Sequence, residues 1–354
     1  MAPTQVARRV AGTGLKAAGV GAERGVKLAS TALTYRPQGK QSYEDTLRTL
    51  SEASVEQCFN AFKDIAWDSP EFALSDDDDR WLLPRVDPLG ATSWYQSLPR
   101  ARQLEIGRHR LVAMTKTGSQ FEQLLLIGGA QFLMGLKNEN PEFRYFMHEL
   151  TEECHHIQMF QELTNRACPE VVGAPLWLRR SIPVVGLLGG LWPSLFFTII
   201  LAGEEPIDHL QKKMMRAGGE LHPMLRRITQ IHIAEEARHI GFAHAWLEHH
   251  APAMNLLNKL ALGLMVPMVL RLGYGAIVIP SREDQELMGI PDHVMREAFG
   301  GPENAKTRRD VCADVRQMGE STGILTPLTR IAWKLWGVDG RASRYRSEPA
   351  SAAA

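Results

Sequence analysis

Glu152-Glu153-Cys154-His155-His156-Ile157 is echoed later in the chain by Glu235-Glu236-Ala237-Arg238-His239-Ile240. Each segment carries a Glu-x-x-His pair. Successive side chains on an α-helix are about 100° apart, so the Glu and His of such a pair project about 60° apart, from one stripe. His232 precedes Glu236 by one helical turn and joins that stripe from the other side, about 40° away. Its neighbours along the stripe, Leu225, Ile228, Ile240 and Ala243, are apolar. An apolar stripe faces a core. A carboxylate and two imidazoles buried there need a partner, because desolvating an ion is costly. One metal ion serves all three.

The first segment offers two registers. Glu153 and His156 share a face with Phe146, Leu150, Ile157, Phe160 and Leu163, whereas Glu152 and His155 share a more polar one with Tyr145, His148, Met159 and Glu162. His148/Glu152/His155 copies the spacing of His232/Glu236/His239. The apolar company nevertheless points Glu153 and His156 inward, leaving Glu152 and His155 to support a ligand or to meet the surface. A dinuclear site in a helical bundle takes one further Glu from each of two more helices. Counting back 31 residues from Glu153 reaches Glu122, within the apolar run Phe121-Glu122-Gln123-Leu124-Leu125-Leu126. On the remaining helix the choice is Glu204 or Glu205. Glu204 lies about 40° from Ile200 and about 60° from Ile207, while Glu205 points nearly opposite Ile207. The faces favour Glu204.

The candidate ligands are Glu122, Glu153, His156, Glu204, His232, Glu236 and His239. Oxygen and nitrogen donors without thiolate suit two iron ions, with manganese as the alternative, about 3.5–4 Å apart and sharing carboxylates. A single Glu-x-x-His arises readily by chance on a solvated helix face. Two of them, each with a Glu about 31 residues ahead and apolar neighbours on every stripe, do not.

The rest of the chain reads as all-α, with 3.6-residue periodicity common and strict alternation rare. A first helix is expected over 43–66, four long ones over about 98–136, 141–165, 192–217 and 222–250, and more to about 337. Pro141, Pro193 and Pro223 stand near three of the starts, where a missing N–H costs nothing. Among 354 residues, 40 Lys+Arg balance 40 Asp+Glu, so no net basic field recruits nucleic acid. Cys58, Cys154, Cys168 and Cys312 are too scattered for a disulfide framework or a Cys-x-x-Cys zinc site, and a reducing cytoplasm is the simplest location. Residues 1–42 read as a flexible basic tail lacking the apolar core of a secretory signal. Residues 43–340 read as one domain, 341–354 as a disordered tail, and Asp76–Asp79 as a solvated loop or helix start. Residues 182–202 carry no charge, a length sufficient in principle to span a bilayer. Pro183, Gly186, Gly189, Gly190 and Pro193 interrupt the stretch, and it runs into Glu204. Its second half reads as a core helix. An apolar patch that lines a substrate tunnel, or that touches a membrane peripherally, is the further reading.

At four places the chain resembles the AurF-type di-iron oxygenases, the arylamine N-oxygenase family of the ferritin-like superfamily. These are Phe121-Glu122-Gln123-Leu124, Glu152-Glu153-Cys154-His155-His156, Glu204-Glu205-Pro206-Ile207-Asp208 and His232-Ile233-Ala234-Glu235-Glu236-Ala237-Arg238-His239. The likeness runs from about Tyr43 to the 240s. His232 is its most specific part, since other ferritin-like di-iron sites carry two histidines and this family three. The resemblance implies a ferritin-like di-iron four-helix bundle with additional N- and C-terminal helices. It also implies a di-iron monooxygenase that takes O2 as co-substrate and electrons from an external donor, converting an arylamine to a hydroxylamine or nitro compound. Alignment selects Glu204 over Glu205. The family's substrates often carry a carboxylate, but Met114 to Gln120 offers only Lys116 as a basic anchor, which leaves a less polar, apolar substrate open. Two rival readings stand beside this one. A di-iron hydroxylase or desaturase would act on carbon of a lipid-like substrate, and a ferritin-like iron-binding protein would have no catalysis. A homodimer is the expected assembly by analogy with such bundles.

Overall fold

The computed structural model describes residues 42–216 and 220–340. Residues 1–41 and 341–354, read above as tails, and the loop at 217–219 lie outside the described residues. The α-helices are α1 (Tyr43–Glu56), α2 (Ser93–Ser97), α3 (Arg100–Met134), α4 (Pro141–Ala167), α5 (Leu176–Val185), α6 (Leu188–Leu191) and α7 (Pro193–Arg216), followed by α8 (Pro223–His250), α9 (Leu256–Val278), α10 (Arg282–Leu287), α11 (Asp292–Gly300), α12 (Pro302–Val311), α13 (Ala313–Thr322) and α14 (Arg330–Leu335). No strand occurs among the described residues.

The four long helices α3, α4, α7 and α8 form a bundle: α3 packs on α4, α7 on α8, and contacts of α4 with α8 and α3 with α7 close the ring. Helix α9 covers α7, and α1 lies across α4 and α8. This is the all-α, ferritin-like architecture with flanking helices. One aromatic layer draws on every bundle helix: Phe132 (α3), Phe146 (α4), Phe197 (α7), and Phe242 and Trp246 (α8). Neighbouring rings meet at 4.5–6.0 Å, mostly edge to face. Such pairs add about 0.5–1.5 kcal/mol each beyond the area they bury. Local signals set the ends of α4. Asn140 accepts from the Glu142 N–H, Pro141 occupies the first turn, and the helix stops at Ala167, two residues before Pro169.

One expectation needs correction. The first helix ends at Glu56 and not near 66. Asn60 Oδ1 accepts from the N–H groups of Phe62 and Lys63, a local turn that competes with helix. The Phe59 N–H is meanwhile directed to Glu235 (3.0 Å). The uncharged stretch 182–202 is divided, as its prolines and glycines suggest, among α5, α6 and α7, with one non-helical residue, Trp192, before α7. The break lays α6 against α3. A Cβ on Gly189 would stand 1.8 Å from the Gly128 carbonyl oxygen, so the two backbones come this close only because residue 189 is glycine; a Cβ on Gly128 would instead meet the Phe196 ring at 2.1 Å. From Ser194 to Gly203, α7 is almost wholly buried, the core helix expected there. By length and composition a different stretch, Leu256–Leu287, is apolar enough to cross a membrane, with 56% of its most apolar window buried inside the protein. The acidic run forms a turn in which Asp78 accepts from the Arg80 N–H, Asp76 pairs with Arg108, and Asp79 pairs with Arg100.

Candidate metal centre

Helix α3 supplies Glu122, α4 Glu153 and His156, α7 Glu204, and α8 His232, Glu236 and His239. Each is buried, none more than 8% exposed. Six of the seven fall into two overlapping groups: Glu122, His156, His232 and Glu236, and Glu153, His156, Glu236 and His239. Within each group the donor atoms lie within 4.8 Å of one another. His156 and Glu236 belong to both. Glu204 joins neither, but lines the cavity beside Glu122, His232 and Glu236. Its competitor Glu205 is engaged by His244 of α8.

The imidazoles are held by a reciprocal arrangement. His156 Nε2–H donates to Glu235 Oε2 (2.8 Å), and His239 Nε2–H donates to Glu152 Oε2 (2.8 Å). In each Glu-Glu-x-x-His segment, the second Glu faces the centre and the first holds the histidine of the other helix. His232 Nδ1–H donates to Gln211 Oε1 (2.9 Å). Carboxylate and amide oxygens accept only, so the held nitrogen carries the proton and the other presents a lone pair.

Those lone pairs point at carboxylates. His239 Nδ1 is 2.7 Å from Glu153 and 3.5 Å from Glu236; His156 Nδ1 is 3.4 and 3.5 Å from the same two. His232 Nε2 is 3.1 Å from Glu122 and 3.2 Å from Glu236. Lone pair against carboxylate is repulsive unless a proton or a cation lies between them. Glu122 Oε2, both oxygens of Glu153 and of Glu204, Glu236 Oε2, and Nδ1 of His156 and His239 have no hydrogen-bond partner. Buried polar atoms are rarely orphaned. So many in one place, all hard or borderline donors, fit a pair of divalent cations.

Proton affinities agree with that reading. Burial, with Glu153 and Glu236 nearby, pushes the Glu122 carboxyl well above the usual range. Burial also raises Glu204, helped by Glu236, Glu149 and Glu153. Burial would raise Glu236 and Glu153 too, but His232 and His239 beside Glu236, and His239 beside Glu153, hold both low. His156 and His239 are raised against the burial that would lower them, because carboxylates accept from or face each ring. Burial takes His232 down to about 4. Protons therefore stand in where cations would go.

Two residues, Glu149 and Glu235, escaped the sequence reading, and it left a third, Glu152, undecided. Glu149 of α4 is buried, its carboxyl raised by burial, with one orphaned oxygen. Its spacing of one turn before Glu153 was the available signal. Glu152, left between supporting and surface roles, is buried and supporting. Glu235 was given no role, although its place in the Glu-Glu dyad mirrors that of Glu152. Arg238 joins them, 2.8 Å from Glu152 and 3.7 Å from Glu235.

Apart from Glu122, Glu204, Glu236 and His232 the cavity is apolar, lined by Phe121, Leu124, Leu125, Ile199, Ile200 and Ile207 among others, with no Lys or Arg. About 20 Å³ of it admits the centre of a water-sized molecule, room for roughly one or two small molecules. Lys116 does not line it and donates to Gln161 instead.

The family described as P-aminobenzoate N-oxygenase AurF matches residues 40–323, from the approach to α1 through α13. The likeness read from the motifs up to the 240s therefore continues through the helices packed behind the bundle. Uncharacterized proteins of Mycobacterium bovis and of Mycobacterium tuberculosis strains CDC 1551 and H37Rv are each 46% identical to this chain over 308 residues, covering 87% of it and 91% of the relative. A bundle with two Glu-x-x-His pairs, a third imidazole and a match of this extent lead to one conclusion: the chain belongs to the P-aminobenzoate N-oxygenase AurF family.

Proposed function

We propose that the protein is a non-haem di-iron monooxygenase that N-oxygenates an amine of low polarity. Glu122, Glu153, His156, Glu204, His232, Glu236 and His239 would hold the two ions. The observation that carries this is the third imidazole. His232 is buried, fixed by Gln211 and aimed between Glu122 and Glu236, an expensive placement unless a metal repays it. Bound iron would supply the Lewis acidity and electron transfer that dioxygen activation needs. The overall change balances as R–NH2 + O2 + 2 e− + 2 H+ → R–NHOH + H2O, with the electrons from an external donor.

The chain's own groups position and exclude. Glu152 and Glu235 keep His239 and His156 in the tautomer that presents Nδ1 inward. Phe121, Ile199 and Ile207, each partly exposed, close the cavity over Glu122 and Glu204 and keep bulk water out. Their displacement would admit an organic substrate. With no Lys or Arg in the lining, an uncharged or apolar amine is favoured over one that carries a carboxylate.

The test is to load the protein with ferrous ion anaerobically, add oxygen, and follow the visible spectrum and products with and without an arylamine. A transient that the amine discharges, with one atom from labelled O2 in the product, supports the proposal. Oxidation of an added acyl chain but of no amine favours the carbon-oxidising rival, to which the apolar lining also gives weight. Decay to ferric mineral without single-turnover product overturns both.

A further inference from the structure

Away from the bundle centre, His109, Cys168 and Glu170 form a third metal-ligating group among the described residues. His109 belongs to the first half of α3. Cys168 and Glu170 begin the connection from α4 to α5. His109 lies 13 residues before Glu122 on the same helix, about 20 Å along its axis, so this cluster and the carboxylate-rich centre share no ligand. We propose that His109 Nδ1, Cys168 Sγ and a Glu170 carboxylate oxygen bind one zinc-class divalent cation, with water in the fourth position. The proposal is independent of what the bundle centre holds.

The geometry supports it in three ways. First, Cys168 Sγ stands 3.6 Å from His109 Nδ1. Sulfur at 2.3 Å and nitrogen at 2.0–2.1 Å from one tetrahedral zinc are about 3.6 Å apart. Glu170 Oε1 is 3.2 Å from the same sulfur and closes the triangle. Second, His109 is prepared as a ligand. Its Nε2–H donates to Asp284 Oδ1 (2.9 Å), and Asp284 is itself fixed by the N–H groups of Val172 and Gly173 and by Ser281 Oγ. A carboxylate behind the imidazole leaves Nδ1 bare and aimed at the sulfur, the support that zinc-bound histidines receive. Third, His109, Cys168 and Asp284 are buried while Glu170 is exposed, so a cation has an entry side and a water its place.

A catalytic Cys-His-Asp arrangement is the rival reading. Burial and the adjacent Glu170 carboxylate push the Cys168 thiol well up, the opposite of an activated nucleophile. A metal would expel that proton on binding. Arg108, whose charge also reaches the sulfur, is paired with Asp76 (2.9 Å).

The site would staple the α4–α5 connection to α3. That connection bears on the bundle centre: Gln120, two residues before Glu122, donates to the Val172 carbonyl and accepts from the Ala174 N–H. A cation here would fix the turn of α3 that presents Glu122.

Cobalt titration of the full chain separates this site from the other, because a thiolate gives cobalt a near-ultraviolet charge-transfer band that carboxylate and imidazole do not. At cobalt saturation one bound cobalt per chain should carry that band. Cys168→Ser should abolish it, and Cys58→Ser and Cys154→Ser should leave it. Glu170→Gln, an exposed change that spares folding, should weaken the cobalt affinity read from the band about tenfold or more. No thiolate band at cobalt saturation, a band that survives Cys168→Ser, or unchanged affinity in Glu170→Gln would each overturn the proposal.

Discussion

Glu152 and Glu235 face the imidazoles of His239 and His156 across the bundle, and neither reaches inward to the donors that would hold a cation. Their negative charge raises the basicity of the ring they hold and fixes its tautomer. Glu235→Gln keeps an oxygen that can accept from His156 Nε2 but removes the charge. Affinity for ferrous ion should fall about 10–100-fold with the helical content unchanged, measured by competition with a chelator. An unaltered affinity would mean that the reciprocal pairing is only a packing feature. His232→Ala removes a donor and leaves Gln211 and Glu122 facing a gap. The expected result is a loss of bound iron from two ions towards one per chain, read by elemental analysis, with slower reaction of the ferrous protein with oxygen. Full occupancy and an unchanged oxygen reaction would exclude His232 as a ligand.

Helix pairing positions those residues, and here the contact of α3 with α6 matters most. Gly128 lies six residues after Glu122 on α3, and its carbonyl touches the backbone of Gly189. Gly189→Ala must force the helices apart, because the obstacle is main chain and cannot rotate away. The expected cost is about 1–3 kcal/mol, read as a lower urea midpoint. Metal affinity should weaken as well, since the displaced segment carries Glu122. This contact was invisible in the sequence, where Gly186, Gly189 and Gly190 counted only as interruptions of an apolar run. The bundle helices, in contrast, were legible, because each shows an apolar stripe with a carboxylate or imidazole set into it. The end of α1 was not, because it depends on a tertiary bond from Phe59 to Glu235 as well as on the local turn at Asn60. The partner of Glu152 and the role of Glu235 were hidden for a related reason. Face analysis places a side chain relative to its own helix axis and says nothing of the histidine that arrives from the opposite one.

For the whole molecule, the buried charge makes stability depend on metal and pH together. Without metal, Glu122, Glu204 and Glu149 have raised carboxyls, so the fold binds protons that the unfolded chain releases above about pH 4.5. His156 and His239 are raised too, so their contribution is complete below the unfolded value near 6.5 and fades as pH rises through the folded one. His232, lowered to about 4, acts in the opposite sense but only below about 6.5. From about pH 7 to 9 the surviving contributions share one sign, and the metal-free protein should lose stability as pH rises. Metal binding reverses the trend, because ligands must give up their protons and affinity therefore grows with pH. A ligand present at about 100 times its dissociation constant adds about 2.7 kcal/mol, equivalent to a few degrees in melting temperature. Melting curves with and without manganese, a redox-stable stand-in for ferrous ion, should therefore diverge as pH increases from about 7 to 9. Protons should appear in solution as the metal binds, at a buffer-dependent heat in calorimetry. A gap between the two curves that stays constant over that range would show that the cluster enters the metal-free fold already deprotonated. The orphaned carboxylates would then have to be neutralised by something other than the protons assigned to them here.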